Sequence, residues 1–177
     1  MNQLLSKYPD EIKAILAKYP PERKRSAVMP LLYLAQRTDN YVSHQDLDDI
    51  AAILELSVTD VASIVGFYTL YHDQPGGRYR LQVCADLPCA LRGAETFLQA
   101  LCATLGIGPG ETTPDGLFTI EEVKCLAACH RAPVFQVQGD GDIVYHENQT
   151  AETALQVIEA LRARALAETA RSNQEAA

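Results

Sequence analysis

Four cysteines stand in two pairs, Cys84-Ala-Asp-Leu-Pro-Cys89 and Cys125-Leu-Ala-Ala-Cys129, each in a short loop at the end of an apolar run. Thiolates are soft ligands. Four of them satisfy either one tetrahedral zinc or the two irons of a 2Fe–2S cluster, two per iron. Spacing alone leaves both readings open. A dithiol redox site would want C-x-x-C, which is absent. Local disulfides would suit an exported chain, and nothing at the N-terminus reads as an export signal. His130 as a histidine ligand of a Rieske-type centre is disfavoured, because four thiols suffice and no second histidine is well placed.

A 2Fe–2S cluster on four thiolates carries a net charge of about −2 and becomes more negative on reduction, so it needs N–H donors and cations nearby. Ala85, Ala90, Ala127 and Ala128 are small enough to let main-chain amides approach sulfur. Arg92 follows the first pair, and Lys124, His130 and Arg131 flank the second. Leu87, Leu126 and Val134 are placed to limit water. The fifth thiol, Cys102, falls on the apolar face of a helix with Phe97, Leu98, Leu101 and Leu105, and reads as a packed, inert cysteine.

The pairs are separated by 35 residues, so the fold must bring them together. Tyr79 to Val83 alternates as a strand into the first loop, Leu91 to Leu105 reads as a helix, and Leu117 to Val123 is a second strand entering the second loop. Val134–Val137 and Ile143–Tyr145 flank Gly139-Asp140-Gly141-Asp142 as a hairpin, and a last helix runs from near Thr150 to about Leu166. The order β-α-β-β-β-α predicts a small mixed sheet with helices packed on it. If the first two strands pair in parallel, both cysteine loops leave the same sheet edge.

Upstream, residues 1 to about 72 read as helical. Asp10 precedes a short amphipathic helix stopped at Tyr19-Pro20-Pro21. A second opens at Glu22 with Val28, Leu31, Leu32 and Leu34 on its apolar stripe, the alternative being that Pro30 marks the first turn of a second segment. Ser43 with Asp46 resembles a capping box, and Ser57-Val58-Thr59-Asp60 repeats the cap. Gly66 interrupts the last helix, which suggests close helix packing. Arg23-Lys24-Arg25 reads as a solvated helix face, the alternative being a docking patch for an acidic partner. Gln74-Pro75-Gly76-Gly77 breaks the chain. The expected organisation is therefore α+β: a helical bundle over residues 1–73, an α/β domain over 78–166, and a polar, frayed tail over 167–177.

A net charge of −8, with 15 basic and 23 acidic residues, argues against nucleic-acid binding. No apolar run is long enough to enter a bilayer directly, and the acidic N-terminus lacks an h-region or presequence. A cytoplasmic location is expected.

The paired motifs, Cys84-x₄-Cys89 and Cys125-Leu-Ala-Ala-Cys129-x-x-Ala-Pro133, resemble the NuoE-type thioredoxin-like 2Fe–2S subunit of NADH:quinone oxidoreductase (respiratory complex I). Pro30-Leu31-Leu32 with Gln36, and Gly66-Phe67-Tyr68-Thr69, extend the resemblance over roughly residues 8 to 165. It implies a helical domain followed by a thioredoxin-like domain, with Cys84, Cys89, Cys125 and Cys129 as ligands of one 2Fe–2S cluster. It also implies a partner subunit holding FMN and NADH, neither of which this chain would bind, and contacts with other peripheral-arm subunits. The expected setting is a bacterial complex peripheral to the plasma membrane, in which the cluster exchanges one electron with the flavin. Alternatives are the equivalent diaphorase subunit of an NAD-linked hydrogenase or formate dehydrogenase, a ferredoxin acting alone and, from another class, a structural zinc module. Two positions depart from the family: Ala127 stands where glycine is usual, so a positive φ there would be strained, and Gln138-Gly139-Asp140 replaces the common Asn.

Overall fold

The computed structural model describes residues 2–175 and divides the chain into two compact units, residues 1–75 and 76–177. In the first, helices α1 (Gln3–Lys7), α2 (Pro9–Leu16), α3 (Val28–Asp39), α4 (His44–Leu54) and α5 (Val58–Phe67) are joined by short turns and a 3₁₀ segment over Pro21–Ala27. Leu31, Leu32, Ile50, Leu54 and Val61 form the centre of their shared core. The capping box is present: the Ser43 hydroxyl accepts from the Asp46 N–H, and the Asp46 carboxylate accepts from the Ser43 N–H. Ser57 caps α5 in the same way through the Asp60 N–H.

Two expectations change here. The segment from Glu22 does not open an α-helix. Arg23 leaves helical geometry and the α-helix starts at Val28, with Pro30 in its first turn, where the missing N–H costs nothing. Close packing does not explain Gly66, since a Cβ there would meet no atom within 4 Å. The basic cluster is partly consumed inside the unit: Lys24 pairs with Glu55, and Arg25 with Asp60 at 3.7 Å.

The second unit holds a four-stranded sheet in the order β2-β1-β3-β4, with β1 Tyr79–Cys84, β2 Phe118–Val123, β3 Phe135–Gly139 and β4 Asp142–His146. β1 and β2 are parallel; β3 runs antiparallel to β1 and β4 antiparallel to β3. Tyr79, Leu81, Val83, Phe118, Ile120, Phe135 and Val137 share one sheet face and pack with Phe97, Leu98 and Leu101 of helix α7 (Ala94–Leu105) and Ala154 and Ile158 of helix α8 (Ala151–Glu175). α7 is the crossover that allows β1 and β2 to be parallel. At the hairpin, Gly139 is required because a Cβ would sit 2.6 Å from the Tyr79 ring and 2.7 Å from the Arg78 carbonyl.

The expected helix from Leu91 begins only at Ala94, and a short helix not expected from the sequence precedes it. Pro88 starts a one-turn helix, α6 (Leu87–Leu91), and Gly93 at φ 89° breaks it from α7. The last helix does not stop near Leu166. It continues to Glu175 through a run in which Ala, Glu, Arg and Gln predominate, with Ala165 still in the core and Glu168 bonded to Arg78. Residues 176 and 177 of the expected tail lie outside the described residues.

Candidate metal centre

The parallel register sets the site. Cys84, the last residue of β1, lies opposite Val123, the last of β2, and the Ala85 N–H donates to the Val123 carbonyl at 3.0 Å. Both loops therefore leave one sheet edge. Cys89 is carried back by α6, and Cys125 and Cys129 follow β2 within six residues. All four thiols are free. Cys84 and Cys89 are each 2% exposed and sit in a small apolar cluster with Ala94, Ala132 and Val134, against which Leu126 and Ala128 pack. Cys125 and Cys129 are exposed, with their sulfurs 3.4 Å apart. Two ligands on one tetrahedral metal, with metal–sulfur bonds of about 2.3 Å, stand roughly 3.8 Å apart, so this pair is close to chelating separation.

Electrostatics ties the two pairs together. The Cys89 thiol is pushed up to about 11, first by burial, then by its hydrogen bond with Cys84 and the neighbouring charges of Cys84 and Cys129; a main-chain hydrogen bond from Val134 pulls the other way. Cys129 is raised by its hydrogen bond with Cys125, with further contributions from burial and from the charges of Cys125 and Cys84. Cys89 and Cys129 therefore resist ionising beside their neighbouring sulfurs, and a bound cationic centre would remove that penalty. The donor set thus fits a centre held by four thiolates.

The supporting shell is only partly as expected. Ala85 and Ala90 spend their N–H groups on main-chain carbonyls, those of Val123 and Asp86. Ala127 instead donates to Cys125 Sγ at 3.4 Å, and it has the positive φ that its sequence position suggested, 60°. The Val134 amide at Cys89 was not legible beforehand, because main-chain donors carry no residue signature. Val134 is buried and Leu126 half-buried, but Leu87 is 67% exposed and does not shield the thiols. Of the cations, Lys124 pairs with Glu122 at 3.8 Å and Arg131 with Glu147 at 3.7 Å. Cys102 belongs elsewhere: it packs against the core of α7, and burial raises its thiol. Among the described residues, no three His, Cys, Asp or Glu side chains are grouped to hold a single metal ion, and no helix is long and apolar enough to cross a membrane.

Residues 12–162 match the model of the thioredoxin-like [2Fe-2S] ferredoxin family. Subunit 2 of the NADH-quinone oxidoreductase of Thermus thermophilus is 46% identical over 131 residues, covering 74% of this chain and 72% of that one. The corresponding NADH-quinone oxidoreductase subunit of Rhizobium meliloti is 44% identical over 154 residues, 87% and 88% of the two chains. In fold alone, a crystal structure of an NAD+-reducing [NiFe]-hydrogenase is similar with TM-score 0.63 and 21% identity, covering 76% of this chain and 23% of that one. With two-thirds or more of each NADH-quinone oxidoreductase relative matched, and the family model spanning both units, the chain belongs to the thioredoxin-like [2Fe-2S] ferredoxin family, in the branch that includes these NADH-quinone oxidoreductase subunits.

Proposed function

We propose that this chain is the electron-transfer subunit of an NADH-quinone oxidoreductase, and that Cys84, Cys89, Cys125 and Cys129 hold its one 2Fe–2S cluster. The observation that carries the reading is that both thiol-bearing loops leave the same end of the parallel strands β1 and β2. The match to the thioredoxin-like [2Fe-2S] ferredoxin family favours the binuclear cluster over a mononuclear zinc, which the same four thiols could also hold.

When bound, such a cluster stores and releases one electron without moving atoms between molecules. The chain's residues do the rest. Cys84 and Cys89 anchor one side in an apolar pocket, where Ala132 and Val134 exclude water. Cys125 and Cys129 reach the surface, where an electron can cross to a docked partner. The Val134 main-chain hydrogen bond at Cys89 and the Ala127 N–H at Cys125 Sγ place donors at a sulfur of each pair, where they offset added negative charge. The partner in this reading is the subunit that binds NADH and FMN, with which one electron is exchanged. The complex places the chain on the cytoplasmic side of the plasma membrane, attached through its neighbours.

The test is anaerobic purification of the full chain. The expected result is a coloured protein with about two irons and two labile sulfides per chain, and one EPR signal on reduction. Expressed with its native neighbours, it should co-purify with a flavoprotein that oxidises NADH. A colourless chain carrying stoichiometric zinc would overturn the reading.

A further inference from the structure

The second cysteine loop contains a conformation that its sequence does not favour. Ala127 lies in the left-handed region, φ 60°, where a Cβ crowds the following carbonyl and where glycine, asparagine and aspartate are the residues commonly found. The residue is exposed, so no packing of its methyl group offsets the strain. What the conformation achieves is specific: the Ala127 N–H points back at Cys125 Sγ, 3.4 Å away. Ala85 and Ala90, in or beside the first loop, direct their amides to carbonyls instead. A thiolate at Cys125 has no apolar enclosure like that around Cys84 and Cys89, so this amide is a fixed dipole at an otherwise solvent-facing sulfur.

We infer that Ala127 is a positioning residue: its left-handed turn holds a main-chain N–H on Cys125 Sγ and thereby raises the reduction potential of the centre. The inference rests on the proposed cluster reading. A hydrogen bond to a ligand sulfur withdraws electron density from the metal and stabilises the more negative, reduced state, so its loss moves the midpoint to more negative values. The strain is what local structure gives up to keep that donor aimed.

The deciding variant replaces Ala127 by lactic acid through nonsense suppression in the full chain, exchanging the amide for an ester. This deletes the N–H while keeping the methyl group and the chain path. Cluster loading is followed by absorption and iron content, and the midpoint by redox titration monitored by EPR. The expected result is wild-type loading with a midpoint shifted negative, whereas a loaded ester variant with the wild-type midpoint overturns the inference. Should the ester variant not load, the comparison of Ala127→Asn with Ala127→Val decides. Asn accepts the left-handed region and should keep the wild-type midpoint; Val does not, and should shift it negative or lose the cluster. Equal midpoints in loaded Asn and Val variants would overturn the inference equally. Failure of the wild-type chain to bind iron is a separate outcome, and it removes the cluster reading itself.

Discussion

Cys84 stands directly across the parallel β1–β2 ladder from Val123, two residues before Cys125. That pairing, and not proximity in sequence, places the two halves of the thiol site together. Under the proposed assignment, Cys84→Ser or Cys129→Ser should therefore abolish or strongly destabilise iron binding, because each would remove one of the two ligands on its side. Cys102→Ala should leave the iron content and spectrum unchanged, with a stability loss of about 1 kcal/mol from its partly buried position on α7. Iron analysis beside urea titration separates the two effects. Bleaching in the Cys102 variant equal to that in Cys84→Ser would show the ligand assignment to be wrong.

Much of this was legible in the sequence because it is local. The Ser43–Asp46 box, the Gly139–Asp142 turn and the alternation of Tyr79, Leu81 and Val83 each announce themselves within a few residues. The parallel pairing of β1 and β2 followed from the helix between them. What stayed hidden depends on distant atoms. Pro88 starts the short helix α6 inside the first cysteine loop, and Gly93 delays the expected helix from Leu91 to Ala94. Helix α8 outlasts its apolar stripe partly because Glu168 meets Arg78, 90 residues away. Burial was the other blind spot. Leu87 sits beside Cys89 in sequence yet faces out, since a one-turn helix turns neighbouring residues in different directions.

Gln36 is one of those hidden long-range contacts. Only 3% exposed, it donates from Nε2 to the Leu70 carbonyl and accepts the His72 N–H on Oε1, both at 2.8 Å, so it fastens the segment after α5 to α3. Gln36→Leu preserves the volume and removes both bonds. It should cost about 1–3 kcal/mol and speed hydrogen exchange at the His72 amide. Unchanged exchange there would mean that the segment is held by its other contacts.

Asp49 plays the same role at the other end of that unit. Its buried carboxylate accepts the Leu4 N–H at 2.8 Å and the Gln45 amide at 3.0 Å, so it satisfies an N–H in the first turn of α1. Asp49→Ala should destabilise by about 2 kcal/mol, with Asp49→Asn intermediate because the acceptor oxygen remains. Chemical denaturation gives the values. An alanine variant indistinguishable from wild type would remove Asp49 from the set of residues that fix α1.

His146 gives the second unit a pH dependence of defined sign. It stacks on Phe135, ring centroids 4.8 Å apart, and burial lowers its pKa below the ordinary 6.5. Above 6.5 the imidazole is neutral in folded and unfolded chains alike, and this residue contributes no slope. Below 6.5 the unfolded chain takes up the proton first, so the unfolded state gains and stability falls with falling pH. The loss levels off once the pH passes below the folded-state pKa and both forms are protonated. His146→Phe keeps the ring stack and removes the titration. Between pH 7.5 and 5.5 the wild type should therefore lose more thermal stability than the phenylalanine variant, measured on matched apo samples. Equal losses in the two proteins would assign the acid sensitivity to other groups.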